Sequence, residues 1–563
     1  MKKNILFLMT IAGGVVMSSC GKLGDLSADN FKVNPTPLEA IGGEVPATIN
    51  GVFPEKYLKK KAVVTVTPVL KYEGGEALGQ SATFQGEKVE GNGTEISYKV
   101  GGTYTMKTSF EYIPAMLSSE LYARFDAKVG KKSVSIPEVK IGYGVLSTSE
   151  LQKQCAVTAS TAKDAFQRII EQKQEASIKF LINQANLRAS ELSNVSIKQL
   201  VDILKEINDM QEERALQNIE ISAYASPDGS YAFNEKLAEK RQNASSKYLK
   251  KELKKIKMNA EVDTKFTAED WEGFQELVSK SNLQDKEVIL RVLSMYQDPE
   301  EREQQIRNMS SVFTEIAEGI LPELRRARLI VKYEVIGRSD EQILAQFTED
   351  ASKLSVEELL YGGNVLVQDA ATRKQWYEKT TKLYPNDYRA YNNLAQLAIM
   401  EGNTAAAQNW LQKAKNVNAK APEINANMAL LALKSGDVAK AEVLMGQASG
   451  SDTYNEVLGN VNIAKGNYTQ AQQNLTSAQT NSKALSQILN KDYAAAKKTL
   501  AAIKTPDATT SYLKAVVAAR TNDAGAAKAN LKAAITSDSS LKARAANDIE
   551  FANYKNEIAD LVK

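Results

Sequence analysis

The chain has 563 residues, 43% of them hydrophobic and 25% charged, with a formal net charge of +3 and no histidine. That length implies about three or four domains, and the near balance of charge does not advertise a nucleic-acid partner, which would need clustered basic charge. The lack of histidine removes Ser-His-Asp and Cys-His catalysis, histidine-ligated metals and a histidine pH switch.

Met1-Lys2-Lys3 makes a short basic start, Ile5 to Val16 an apolar run too short to span a bilayer, and Ser18-Ser19-Cys20 a small-residue site ending in a thiol. This order resembles the bacterial lipoprotein signal, with Met17 where that signal usually carries leucine. The resemblance implies loss of residues 1–19, acyl chains on Cys20 and a lipidated tether over residues 20–30. The alternative is an ordinary secretory signal that contains a cysteine. With Cys20 acylated, Cys155 has no intramolecular partner and reads as a small, half-buried side chain.

Residues 31–146 read as a β-sandwich-like domain of short strands and turns. In "EISYKVGGTYTMKTSFEY" the apolar residues alternate on two arms, Ile96, Tyr98 and Val100 before Gly101-Gly102, and Tyr104, Met106 and Phe110 after it. The pattern predicts a two-residue hairpin. Ala62 to Leu70 and Ser133 to Leu146 add β-branched runs, each with a proline that suggests an edge or bulge.

From 150 to 345 strands and helices alternate. Ile178, Phe180 and Ile182 mark a strand. Ser196 is placed to cap a helix carrying Leu200, Leu204 and Ile207. Asn218 to Ala225 forms a second strand that enters the Ser226-Pro227-Asp228-Gly229 turn. A second helix then carries Phe233, Leu237, Ala244 and Tyr248 on one side, and Leu324 to Gly337 is the closing strand. The β-α-β-α-β order predicts an α/β sandwich with helices on one face. Residues 267–320 read as an amphipathic helical insertion, with Trp271, Phe274 and Leu277 expected to pack on the same domain.

These residues resemble the OmpA-like domain of Gram-negative outer-membrane proteins. The strand end Ala223-Tyr224-Ala225-Ser226, the turn Gly229-Ser230, the helix residues Asn234, Leu237 and Arg241, and the pair Arg325-Arg326 fall on that family's pattern. In the family an aspartate and the helix arginine clamp a diaminopimelate residue of peptidoglycan, a zwitterion suited to charge-assisted bonds. Here Arg241 stands in place, but Ser226 occupies the aspartate position and Gln242 that of an alanine. Two readings stand. Asp228 substitutes for the missing carboxylate, so that Ser226, Asp228, Asn234 and Arg241 grip the cell wall. Otherwise the turn preserves the fold alone, with Arg241 in a surface ion pair.

Residues 355–563 are helical and repetitive. Tyr391, Leu394 and Ala398 precede Gly402, and Ala407, Leu411 and Ala414 follow it; Gly436 repeats the register, followed by Ala441, Met445 and Ala448. Later units around Gly466, Tyr493 and Ala527 are shorter and alanine-rich. The pattern resembles the tetratricopeptide repeat (TPR) and implies an all-α solenoid with a concave groove for protein partners.

The fold expectation is therefore multidomain: a β-sandwich, a central α/β domain and a C-terminal all-α solenoid. The function expectation is a non-enzymatic scaffold of the cell envelope, with no cofactor and no nucleic-acid partner. Acyl chains on Cys20 hold it in the outer membrane, on the periplasmic face, the solenoid recruits protein, and the middle domain contacts peptidoglycan. The alternatives are a surface adhesin or secretion-assembly subunit, and an envelope enzyme working through carboxylates or Ser-Lys chemistry.

Overall fold

A computed structural model describes residues 23–563, other than 284 and 309 and the side chains of 306 and 310–313. Cys20 and the expected signal lie outside the described residues. The chain divides into two compact units, one combining the residues before Asp164 with Asp369–Lys563, the other Asp164–Gln368.

In the first unit, strands Phe31–Asn34, Glu44–Phe53 and Gly102–Glu111 form one sheet. A larger sheet is built on Ala62–Tyr72 and Ser119–Val129, antiparallel partners along their whole length. Apolar residues alternate along these strands, so Val45, Ala47 and Ile49 of one sheet and Val64, Val66 and Leu121 of the other meet in a single core.

Three features depart from the sequence expectation. The tether is not free along its length, because Leu23 and Leu26 are buried in this core. The Gly101-Gly102 hairpin does not form. Thr94–Ile96 pairs with Ala82–Gly86 in the larger sheet, and Gly102–Glu111 pairs with Glu44–Phe53 in the other, so the chain crosses between sheets here. Gly101 makes this possible: it has φ +74°, and a Cβ there would stand 2.3 Å from the Phe53 carbonyl oxygen. Pro68 sits in a central strand. One neighbour changes there from Ala82–Gly86 to Gly75–Leu78, and no ladder bond needs its missing N–H.

The solenoid pairs helices through short turns, from Tyr388–Met400 with Thr404–Val417 to Ala508–Arg520 with Ala524–Ser537. Helix Ala370–Leu383 precedes them, and helices Leu541–Asn547 and Lys555–Val562 close the end. Each first helix stops at a left-handed residue, in order Gly402, Gly436, Gly466, Lys491 and Asn522. The following residue caps the second helix. Asn403, Asp437, Asp492 and Asp523 each accept a backbone N–H three residues on. Buried alanines such as Ala407, Ala441, Ala471, Ala496 and Ala527 let the paired helices approach closely.

The second unit holds a four-stranded sheet in the order Ile169–Lys179, Arg326–Ile336, Arg214–Tyr224, Asp263–Thr267. Helices Val195–Asp209 and Tyr231–Lys255 cover one face, burying Leu200, Leu204, Leu249 and Leu253 against Ile178, Ile219, Ile221 and Leu329. The other face is polar, crossed by the pairs Glu175–Arg328 and Glu220–Lys265. The edge strand Asp263–Thr267 escapes sequence reading because every residue in it is exposed; it joins by parallel pairing to Glu220–Tyr224. The helical insertion begins after it, and Phe274, Val278, Ile289 and Leu324 give it a small core of its own.

The first helix is capped by Asn194, whose side chain accepts the Ser196 N–H, rather than by Ser196. The buried side of the second runs through Asn234, Leu237, Arg241, Ser245 and Leu249, while Phe233 is exposed, because this helix buries polar groups at its N-terminal end. The unit starts later and ends later than its strand pattern suggests. Residues 147–163 belong with the first unit, whereas helix Val356–Tyr361 stays in the second, tied by the Phe166–Tyr361 ring stack and the Arg338–Glu358 ion pair.

Candidate functional site

The first helices of the solenoid's pairs already hold an extended peptide, and that peptide is the chain's own. After a short 3-10 turn, Thr148–Gln154, residues 155–163 run without regular structure. Their side chains alternate, with Cys155, Val157 and Ala159 buried and Ala156 and Thr158 exposed, as in a strand that lays one face on a surface. Leu151 and Cys155 join the core of the later repeats, Val157 and Ala159 that of the earlier ones.

The solenoid grips this strap mainly by its main chain. The amide of Asn427 brackets Ser160, accepting its N–H at 2.6 Å and donating to its carbonyl at 2.8 Å. Asn393 does the same to Ala162, at 2.8 and 2.9 Å. Asn392 adds a second donor to the Ser160 carbonyl, 3.1 Å away. Towards the other end Gln152 donates to Asn460, and Thr509 to the Gln154 carbonyl. The strap thus runs opposite to the order of the repeats. Its start is fixed by Arg544, which donates to the Ser147 carbonyl, and by the Thr148 hydroxyl on Glu550.

Asn392, Asn393, Asn427 and Asn460 are fully or almost fully buried. A carboxamide is neutral and offers a donor and an acceptor side by side in one plane, so it can satisfy both polar groups of an extended residue at once. Buried without such a partner, it costs about 1–3 kcal/mol. The arrangement reads the backbone, and beside it the strap buries mostly small side chains, Cys155, Ala159, Ser160 and Ala162, together with Val157. The Cys155 thiol is pushed up to about 12 by burial, which leaves it un-ionised and inert at neutral pH.

Sequence reading missed this site. The legible signal was the Asn392-Asn393 pair and Asn427, poor helix formers placed one repeat apart on helices otherwise rich in alanine and leucine.

The residues singled out in the α/β unit do come together at the strand-to-helix corner. The Ser226 hydroxyl donates to Asp228 at 2.6 Å, and Asn234 donates to the carbonyls of Ser226 and Gly229. Arg241 is not in a surface ion pair. Its guanidinium is buried, stacked over Phe180, and donates to the carbonyls of Leu181, Gln184 and Tyr224. Burial, reinforced by nearby Arg325, pushes its pKa down to about 10. Asp228 is engaged by a different arginine, Arg325, at 2.8 Å, and Arg307 of the helical insertion donates to the Asp228 carbonyl. Asp228 and Arg241 therefore do not form a paired clamp; each is satisfied by the fold.

Among the described residues no His, Cys, Asp and Glu side chains gather in a metal-ligating group, and no helix is long and apolar enough to cross a membrane.

Comparison with known proteins places the tetratricopeptide repeat model on residues 376–409. No curated protein gives a match to the chain. Among solved structures the chain is similar to a tetratricopeptide repeat protein from Parabacteroides merdae, at 13% identity over 42% of this chain and 93% of that one, with a TM-score of 0.27. It is also similar to PilF of Pseudomonas aeruginosa, at 18% identity over 39% and 98%, TM-score 0.27. A third is PilW, a type IV pilus biogenesis factor, at 15% identity over 38% and 99%, TM-score 0.28. Residues 376–409 thus match the tetratricopeptide repeat, and the C-terminal helix pairs form a TPR-like solenoid.

Proposed function

We propose that this protein is a non-catalytic scaffold of the bacterial cell envelope. Acyl chains on Cys20 hold it in the outer membrane, and the solenoid docks protein partners through extended segments. The observation that supports the docking half is the row of asparagine brackets, which holds an extended main chain, here the strap that a partner segment has to displace. The order of residues 1–20 supports the anchor.

Strand order in the second unit and the polar corner around Asn234 and Arg241 support an OmpA-like domain. A peptidoglycan stem has to displace Arg325 from Asp228 to gain the carboxylate. For that reason Asp228→Asn is the informative variant, while Arg241→Ala removes three buried hydrogen bonds to carbonyls and damages the fold.

The deciding experiment is growth on labelled palmitate with a photo-crosslinking residue at the exposed Thr158 of the strap. A labelled chain, and a discrete adduct to another envelope protein, are expected. A chain that stays unlabelled, with Cys20→Ser still fractionating with membranes, overturns the anchor. Crosslinks confined to the chain itself overturn docking at the groove.

A further inference from the structure

All the connections at one end of the β domain carry lysine, and the described chain begins at that end. The strand registers fix the geometry. Phe53 pairs with Gly102, Phe31 with Gly51, Ala62 with Val129, and Gly86 with Ile96. The segments before Phe31, between Phe53 and Ala62, after Gly86, before Gly102 and after Val129 therefore share one end of the sandwich.

The loop between Phe53 and Ala62 contributes Lys56, Lys59, Lys60 and Lys61, and the turn after Val129 adds Lys131 and Lys132. Lys88 and Lys99 come from the two remaining loops, the latter beside Val100, which is 76% exposed. The carboxylates at this end, Asp25, Asp29, Glu55, Glu87 and Glu90, are fewer. Glu87 is already taken by the Ser97 hydroxyl and the Tyr98 N–H. Lys56 and Lys60 lie 3.5 Å from Glu55 and Glu87 respectively, yet stay 69% and 53% exposed.

Leu23 is already part of the core, and Gly24 packs on the ring of Tyr57, next to the lysine loop. Cys20 stands three positions before Leu23, a span of at most about 10 Å. That distance is close to the Debye length of roughly 8 Å at physiological salt. The opposite end of the sandwich meets the solenoid, where Gly42 lies against Lys465 and Gly144 against Ile549.

We propose that this lysine-bearing end is a membrane-docking surface that rests on anionic lipid headgroups, with Val100 entering the interface and the solenoid held away from the bilayer. The inference rests on the envelope reading and deepens it, since lipid anchoring by one site alone fixes no orientation.

The test uses the mature chain with Cys20→Ser, which removes the acyl chains, in flotation with vesicles. One set is phosphatidylethanolamine with phosphatidylglycerol at three to one, the other phosphatidylethanolamine with phosphatidylcholine. Binding to the anionic set, weakened by raising salt, is expected. Each lysine near such a surface contributes about fivefold, so Lys59→Gln, Lys60→Gln and Lys61→Gln together should lower binding about a hundredfold. A matched triple change on the solenoid, at Lys497, Lys498 and Lys532, should leave it unchanged. Equal partition into both vesicle sets, no loss in the loop triple variant, or tighter binding to duplex DNA than to vesicles overturns the proposal. Palmitate labelling of the natural chain judges the anchor separately, so either can fail without the other.

Discussion

Asn393 and Asn427 decide whether the strap stays in place. Alanine at either position removes the two hydrogen bonds its amide makes to the main chain of the strap, with an expected loss of about 1–3 kcal/mol in denaturant unfolding of the first unit. Asn416→Ala, on an exposed helix face, should change stability by no more than about 0.5 kcal/mol. In the second unit the hydrogen bond from Arg328 holds the Glu175 carboxyl down at about 2. A lowered carboxyl pKa contributes stability that is complete above the ordinary glutamate range and is lost as pH falls through that range towards 2. Glu175→Gln should therefore flatten the acid limb of that unit's stability curve between pH 5 and 2, as read by thermal melts at each pH. At this scale the sequence was a partial guide. It named Ser226, Asp228, Asn234 and Arg241 as neighbours, which they are, yet could not pair Asp228 with Arg325, because that contact spans 97 residues of chain.

At the scale of elements, legibility followed local chemistry. Helix pairs with a glycine between them could be read, because the left-handed position and the cap after it are written in adjacent residues. The later repeats blurred because Lys491 and Asn522 take the left-handed position without glycine's signature. Strand partners could not be read at all. The two arms around Gly101-Gly102 have hairpin spacing, but partners elsewhere in the chain claim them for different sheets. The strap was invisible for a related reason, as a segment of small residues has no periodicity strong enough to declare itself. Its burial gives a direct check. Cys155 in the native chain should resist alkylation at pH 8 on the timescale of hours and react within minutes in denaturant, with Asn393→Ala/Asn427→Ala accelerating native labelling at least tenfold.

Taken whole, the molecule is one unit interrupted by another. Within the interrupting unit the first and last strands in chain order pair antiparallel, with the Gly337 N–H on the Arg168 carbonyl and Asn364 on Asp164, so its two ends lie side by side. Replacing residues 164–368 by a Gly-Ser linker of about six residues should leave the first unit folded, its melting temperature within a few degrees of the parent. A collapse of cooperative unfolding in that deletion would show that the first unit depends on its guest.

One consequence of the strap concerns the order in which the protein comes into being. Residues 152–162 leave the ribosome long before the helices that hold them, with Ala162 and Asn393 separated by 231 residues and Gln154 and Thr509 by 355. Until nearly the last repeat has been made, this segment has nowhere to lie. A message truncated within the final repeats therefore yields an intact β domain trailing an unsheltered thread, a natural substrate for quality-control proteases.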